Sequence, residues 1–209
     1  MKALFADRPF NERHHLGAVN SINWARILAQ TVYYFLAYFH VRAQIPHPES
    51  SEIQFVVPTG NFGDVLAGYY AKRRGLPMGK LVVATNSNDI LTRFWRSGRY
   101  EKINSSPDTA SLSEGGPVDG GVQATLSPAM DILVSSNFER LLWYLSYEAS
   151  SAIPNNTRRS SAGATVDAWM KGVKRDGRVE VPVEVLELAR QDFVAERISD
   201  DQVSLASDY

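Results

Sequence analysis

The sequence predicts an α/β fold in which parallel strands are flanked by helices. Two apolar runs suited to strands, at residues 55–57 and 81–84, stand on either side of a helical pattern. A strand, a helix and a second strand within this length form a βαβ unit, whose two strands run parallel. Neither run alternates with polar residues, which is typical of strands that are buried on both faces.

The composition excludes several classes of function. The chain has 209 residues, with 22 Lys and Arg against 23 Asp and Glu, a formal net charge of -1. We therefore expect neither nucleic acid nor a membrane as a partner. The sequence has no cysteine, which excludes disulfides, thiolate catalysis and Cys-based metal sites. No signal peptide or membrane-spanning run is present in the sequence, so a cytoplasmic protein is predicted.

The first long helix is predicted from about residue 21 to Gln44. Apolar residues recur there at intervals of three and four and are expected to form one buried stripe, namely Ala25, Leu28, Val32, Phe35 and Phe39. Asn20 or Ser21 is expected to cap this helix. The preceding pair His14 and His15 is interpreted as a solvated turn, since adjacent residues share no helix face and no further ligand lies at metal spacing. No metal site is predicted.

The start of this helix is rich in polar residues, namely Asn20, Ser21, Asn23 and Arg26. The Arg26 guanidinium is able to bind an oxyanion through two parallel hydrogen bonds. The alternative is that these residues cap the helix and form a surface ion pair.

A glycine-rich turn joins the first strand to the next helix. Pro58 stops the strand ladder, and Gly60 and Gly63 allow a tight turn because neither has a Cβ. Such a turn aims backbone N–H groups at one point, at the positive end of a helix dipole, and so predicts a phosphate site. The spacing matches neither the P-loop nor the dinucleotide fingerprint. The alternative is a helix-start turn that binds no ligand.

Three polar features follow the second predicted strand. Asn86 to Asp89 are predicted to form a polar loop at the carboxyl end of the second strand, with Asn88 or Asp89 capping the helix that follows. Residues 104–123 contain almost no large apolar residue, so we expect a disordered surface insertion. Asp131 lies between Met130 and Ile132, and its burial requires a partner.

Beyond this point the sequence predicts mostly helices. One is expected at residues 138–145, a polar loop at 154–164, a short helix near Trp169 and a solvated helix from Val183 to Arg197. The predicted division is one α/β domain over residues 1–150 and a helical extension over 151–209.

The order of several blocks resembles threonine synthase, most closely its fungal-type branch. The blocks are PTGNFGD at 58–64, LGAVNSINWAR at 16–26, ATNSNDIL at 84–91, TLSPAMDI at 125–132 and SNFERL at 136–141. The resemblance implies the fold of type II pyridoxal-phosphate enzymes, of which the chain would be an incomplete part. It implies the conversion of O-phospho-L-homoserine and water to L-threonine and phosphate, with a phosphorylated amino acid as substrate.

The resemblance also implies roles for individual residues. The cofactor phosphate would be held by Gly60, Asn61, Phe62, Gly63 and Asp64. The substrate cleft would lie near Asn20, Ser21, Asn23 and Arg26. The block around Asp131 would line the cleft, against the alternative of a structural hydrogen bond.

One departure from the family concerns its Schiff-base lysine. No lysine of this chain lies in a motif like the family's lysine block; those present are Lys2, Lys72, Lys80, Lys102, Lys171 and Lys174. We therefore expect a truncated piece that is inactive by itself and whose partner is the missing N-terminal part of the same enzyme. The alternatives are an anion-binding module without catalysis, which would take a phosphate or a nucleotide, and an interaction fragment.

Overall fold

The computed structural model describes residues 7–16, 21–47, 49–102, 117–118 and 121–207. Its helices are α1 (Arg8–His14), α2 (Trp24–Arg42), α3 (Gly63–Arg73), α4 (Ile90–Ser97), α5 (Phe138–Ala149), α6 (Asn155–Asp176), α7 (Val183–Asp192) and α8 (Asp200–Ser207). Its strands are β1 (Val56–Pro58), β2 (Leu81–Thr85), β3 (Arg99–Glu101), β4 (Pro117–Val118), β5 (Val122–Gln123), β6 (Arg178–Glu180) and β7 (Phe193–Arg197).

The central sheet has three parallel strands in the order β1-β2-β7. Val56 pairs with Val82, and Leu81 pairs with Phe193. The predicted βαβ unit is therefore confirmed, with α3 as its crossover helix. Two antiparallel pairs, β3 with β6 and β4 with β5, lie outside this sheet.

The third strand corrects the prediction for the end of the chain. The helix expected to run to Arg197 ends at Asp192, and Phe193–Arg197 pairs with β2 instead. Phe193 is almost fully buried, and this burial outweighs the helical charge pattern that surrounds it. Residues 151–209 are thus not helical throughout, while their separation from residues 1–150 as a domain stays a prediction.

Helix α2 buries a different face from the one predicted. Its buried residues are Ile27, Thr31, Tyr34 and Tyr38. The predicted stripe is largely exposed, with Val32 at 52% and Phe39 at 60%. The helix carries apolar residues on both faces, and periodicity does not say which face meets the core. Tyr34 decides the choice, because its ring packs where a Cβ on Gly68 of α3 would lie 2.7 Å away.

The α2 cap is also different from the prediction. Asn23 is the cap residue, and its side chain accepts a hydrogen bond of 3.0 Å from the Ala25 N–H. Ser21 does not occupy the cap position, and Asn20 lies outside the described residues.

An aromatic cluster fixes the turn between β1 and α3 against α4 and α5. The Phe62 ring lies 5.4 Å from the Phe138 ring, and Phe138 lies 4.8 Å from Phe94. These three rings are essentially inaccessible to solvent. Aromatic pairs at such distances add to the stabilisation from burial, so the turn is part of the core.

Two further predictions concern segments without apolar patterning. The polar loop expected at residues 154–164 instead forms the first half of α6, which begins after Pro154 and buries Ala162. Within the predicted insertion at 104–123, residues 117–118 and 122–123 form the β4–β5 pair. Residues 104–116 and 119–120 lie outside the described residues, so the disorder of the insertion stays a prediction. Across the described ranges, no helix is both long and apolar enough to cross a membrane.

Candidate functional site

The candidate site is the loop that leaves β1 at the carboxyl end of the sheet. The Thr59 N–H continues the strand pairing by donating to the Ala84 carbonyl at 2.8 Å. The Thr59 hydroxyl donates to the Val57 carbonyl at 2.8 Å. These bonds fix the start of the loop at the edge where open α/β sheets place their ligand sites.

A short polar segment holds the loop carbonyls from one side. The Ser135 hydroxyl donates to the Gly60 carbonyl at 2.9 Å. The Asn61 carbonyl accepts from the Asn137 backbone N–H at 3.1 Å and from the Asn137 side-chain amide at 3.0 Å. The Ser136 hydroxyl donates to the Asn61 side chain at 3.2 Å. We call residues 135–137 the clamp segment.

The loop N–H groups, in contrast, have no internal acceptor. Those of Asn61, Phe62 and Gly63 donate to no group in the part of the chain that the structure describes. The cap residue of α3, Phe62, makes no side-chain cap bond either. Unpaired N–H groups at a helix start are the donors with which proteins bind phosphate.

Phe62 sets the sharp direction of this loop. Its backbone is left-handed, with φ of 62°, a conformation that is uncommon for a residue with a side chain. The buried ring keeps the residue there, because the aromatic cluster holds it in place. Such a conformation at the mouth of a cleft is typical of binding sites, where surrounding structure maintains it.

The two glycines of the loop differ in the space that is available for a Cβ atom. A Cβ on Gly60 would lie 2.9 Å from the Ala129 carbonyl oxygen and would clash with this backbone atom. On Gly63 the nearest neighbour would be the Asn137 amide at 3.6 Å, an ordinary contact. Of the two glycines, Gly60 alone therefore occupies a position where a Cβ would clash.

A cavity of about 350 Å³ lies beside the loop. Its walls are Ser21, Arg26, Gln30, Ala129 and the continuous stretch from Pro58 to Val65. The structure thus brings Ser21 and Arg26 together with Gly60, Asn61, Phe62, Gly63 and Asp64. It does not bring Asn23, whose side chain is the α2 cap.

Asp64 lies in the cavity wall on the first turn of α3. Burial raises the pKa of this carboxyl above its usual value, an effect that the nearby Tyr34 hydroxyl opposes. Tyr34 donates to the Asp64 backbone carbonyl at 2.9 Å, and its own burial raises the Tyr34 pKa. A carboxylate here repels an anion, so the backbone N–H of Asp64 suits a phosphate and its side chain does not.

Asp131 has a structural role in the described contacts. Its carboxylate accepts from the side chains of Asn86 at 2.7 Å and Asn88 at 3.0 Å. The Thr125 hydroxyl and N–H add bonds of 2.7 and 3.0 Å. The predicted need for a partner is confirmed, and Asp131 is not among the residues that line the cavity.

The prediction that Asn88 or Asp89 caps α4 is confirmed for the position alone. Asp89 is the cap residue, but its side chain makes no cap bond. Its carboxylate pairs instead with Arg93 at 2.9 Å and Arg197 at 3.6 Å. This pairing ties α4 to the end of β7.

Sequence reasoning missed Gln30 and the clamp segment. Gln30 is a polar residue within an apolar helical pattern, which is a weak signal. The clamp segment is a polar run before α5 and looks like an ordinary helix start. Among the described residues there is no group of acidic or histidine side chains that is able to hold a metal ion.

Comparison with known proteins identifies threonine synthases as similar to this chain. No family model matches the chain. The chain is 54% identical over 202 residues to threonine synthase of Schizosaccharomyces pombe. Two solved structures are similar: yeast threonine synthase (TM-score 0.79, 48% identity) and PLP-bound threonine synthase from Brucella melitensis (TM-score 0.74, 40% identity).

These matches cover nearly all of this chain and a minority of each relative. They include 97%, 98% and 97% of this chain, respectively, but 37%, 35% and 36% of the relatives. The chain therefore spans little more than a third of the length of the proteins that it resembles. The α/β fold with its parallel sheet is shared with the solved threonine synthases.

Proposed function

Because this chain belongs to the threonine synthase family by homology over almost its whole length, we propose that it forms the cofactor-phosphate part of a threonine synthase site. The enzyme converts O-phospho-L-homoserine and water to L-threonine and phosphate, with pyridoxal phosphate as cofactor. The supporting observation is the loop at residues 60–64, whose N–H groups have no acceptor among the described residues and begin a helix beside a cavity. This is the donor set that a phosphate dianion requires.

The residues of the cavity fit this cofactor. Asn61, Phe62 and Gly63 would donate backbone N–H groups to its phosphate, and the positive end of α3 would lower the energy of the bound dianion. When bound, pyridoxal phosphate supplies an electron sink for a carbanion of the substrate. The buried Phe62 ring and the clamp segment keep the donors in place, which limits the ordering cost of binding.

We assign the α2 side of the cavity lining to the substrate. Ser21 and Arg26 line the same cavity as the loop, and a guanidinium there suits the phosphate of a phosphorylated amino acid. No described lysine lines this cavity. We assign the lysine that this chemistry needs to the part of the relatives that the present chain does not match. We also propose that the protein is cytoplasmic.

The test is binding of pyridoxal phosphate to the purified chain, followed by isothermal titration and by the cofactor's absorbance. We expect stoichiometric but weak binding that inorganic phosphate displaces. Borohydride treatment should leave no reduced adduct at a specific lysine. One stoichiometric adduct at a single lysine would overturn the assignment of the lysine to the unmatched part.

The second candidate is a phosphate- or nucleotide-binding module without catalysis, since the same loop would serve it. A parallel titration with a nucleoside triphosphate separates the two. Preference for the nucleotide over pyridoxal phosphate would favour the module. Absence of binding by every phosphate compound would leave the loop as a turn.

A further inference from the structure

Asn137 joins two segments that line the cavity. Its side-chain amide donates to the Ser21 carbonyl at 2.8 Å and to the Asn61 carbonyl at 3.0 Å. The residue is fully buried. We propose that Asn137, together with Ser135, is a positioning residue that aims the loop N–H groups into the cavity and holds the loop against the Ser21 segment. This inference rests on the proposed function.

The geometry of the peptide bond links each bound carbonyl to the direction of the next N–H group. In a trans peptide the C=O and N–H point in opposite directions. The Gly60 carbonyl is bound by Ser135, so the N–H of the same peptide unit, on Asn61, points away from the clamp segment. The Asn61 carbonyl is bound by Asn137, so the Phe62 N–H also points away from it. Holding two carbonyls on one side therefore sets two donors on the other.

The Asn137 side chain does not cap its own helix. Asn137 occupies the cap position of α5, where an Asn side chain usually accepts a hydrogen bond from the first helical turn. Its side chain makes no such bond. The Oδ1 atom is buried without a partner among the described residues. A buried oxygen left unpaired destabilises the fold, so the side chain is not placed where it would best stabilise its own helix.

Helix α5 makes a second contact with the segment that leads into α2. The neighbouring Arg140 donates to the Ile22 carbonyl at 2.7 Å, one residue beyond the Ser21 carbonyl that Asn137 holds. One turn of α5 thus binds two consecutive carbonyls of the segment that leads into α2. A change at Asn137 would release both the loop and this segment, whereas Ser135 acts on the loop alone.

The experiment measures affinity and loop geometry in the full chain. Asn137→Asp keeps the side-chain shape but removes the amide donor and places a carboxylate oxygen beside two carbonyls. We expect the Kd for pyridoxal phosphate to rise by at least about tenfold. We also expect the amide resonances of Asn61 and Phe62 to move in the ¹⁵N-labelled protein without ligand. Ser135→Ala should weaken binding by roughly threefold to tenfold.

The control is Leu145→Ala, a buried position on the same helix and away from the cavity. It should lower the thermal midpoint without changing the Kd, which separates positioning from general loss of stability. An unchanged Kd in Asn137→Asp would overturn the inference. If that variant does not fold, Ser135→Ala decides, and an unchanged Kd there overturns it equally. Absence of binding by the unmodified chain is a different result, because it rejects the proposed function itself.

Discussion

Tyr34 on α2 donates its hydroxyl to the Asp64 backbone carbonyl on α3 at 2.9 Å, which places a phenol near the Asp64 carboxyl in the cavity wall. Burial raises the pKa of the Asp64 carboxyl above its usual value. The folded chain therefore holds this proton to a higher pH than the unfolded chain. As pH rises through that window, the Asp64 carboxyl reduces the free energy of unfolding.

The first prediction is that Asp64→Asn stabilises the chain above this window and flattens the pH dependence within it. Urea unfolding between pH 4 and pH 8 measures the effect. The backbone N–H is unchanged, so affinity for inorganic phosphate should stay equal or increase as a negative charge is lost. Asp201→Asn, which alters an exposed carboxyl on α8, is the control. A loss of phosphate affinity in Asp64→Asn would contradict the backbone role given to this residue.

The second prediction separates the two loop glycines. Gly60→Ala should destabilise the chain by about 1–3 kcal/mol, because its Cβ meets the Ala129 backbone. It should also weaken binding of pyridoxal phosphate. Gly63→Ala should have a much smaller effect, since its nearest neighbour lies at 3.6 Å.

The matched control for these changes is Gly163→Ala on α6, whose Cβ would meet only the Trp143 side chain at 3.9 Å. Helix propensity predicts a gain of up to about 1 kcal/mol there. Equal losses at Gly60 and Gly63 would show that the contact with Ala129 is not what constrains the loop.

The third prediction concerns Asp131, which joins the loop after β2 to the segment after β5. Asp131→Ala should lower the free energy of unfolding by roughly 2–4 kcal/mol, because the Asn86 and Asn88 amides lose their acceptor. Denaturant unfolding measures this. Asp167→Ala removes an exposed ion pair with Lys171 and should cost at most about 1 kcal/mol. Comparable losses in both variants would argue against the buried network.

The fourth prediction concerns the exposed apolar stripe of α2, which we define as Trp24, Leu28, Val32, Leu36 and Phe39. These residues share one helix face, and Leu36 is 65% exposed. Surface of this kind drives association. We expect the chain to elute above its monomer mass in size-exclusion chromatography and to unfold over a broad range.

Leu36→Lys should shift the elution toward the monomer without loss of stability, since the side chain is largely solvated already. Leu205→Lys is the control, because Leu205 on α8 is equally exposed at 66% but lies outside the stripe. A monomer with one sharp, reversible transition in the unmodified chain would contradict this prediction and the truncation expected from the sequence.

The sequence predicted the parts of the fold where local pattern and tertiary environment agree. The strands β1 and β2 and the glycine turn after Pro58 are of this kind. The predicted burial of β1 on both faces is wrong, because β1 is an edge strand of the sheet and Val56 is 65% exposed. It failed at α2, where both faces are apolar and only the contact between Tyr34 and Gly68 selects the inner one. It failed at β7 because Phe193 is held by partners distant in the chain, which no local window contains.

The candidate site divides in the same way. The loop at 60–64 was predictable because its residues carry the geometry themselves. The clamp segment was not, since Ser135 and Asn137 act on carbonyls more than seventy positions away. For Asn23 the structure supports the capping alternative, which the sequence could not separate from ligand binding because both use the same side-chain chemistry.

The pairing of β2 with β7 has a consequence for the order of folding. These strands are neighbours in space but far apart in the chain, and contacts of this kind slow folding because a long loop must close first. During synthesis β2 pairs with β1 along one edge, while its other edge has no strand partner. That edge stays unpaired until residue 197 has left the ribosome, so the growing chain is exposed to wrong strand partners until β7 is available.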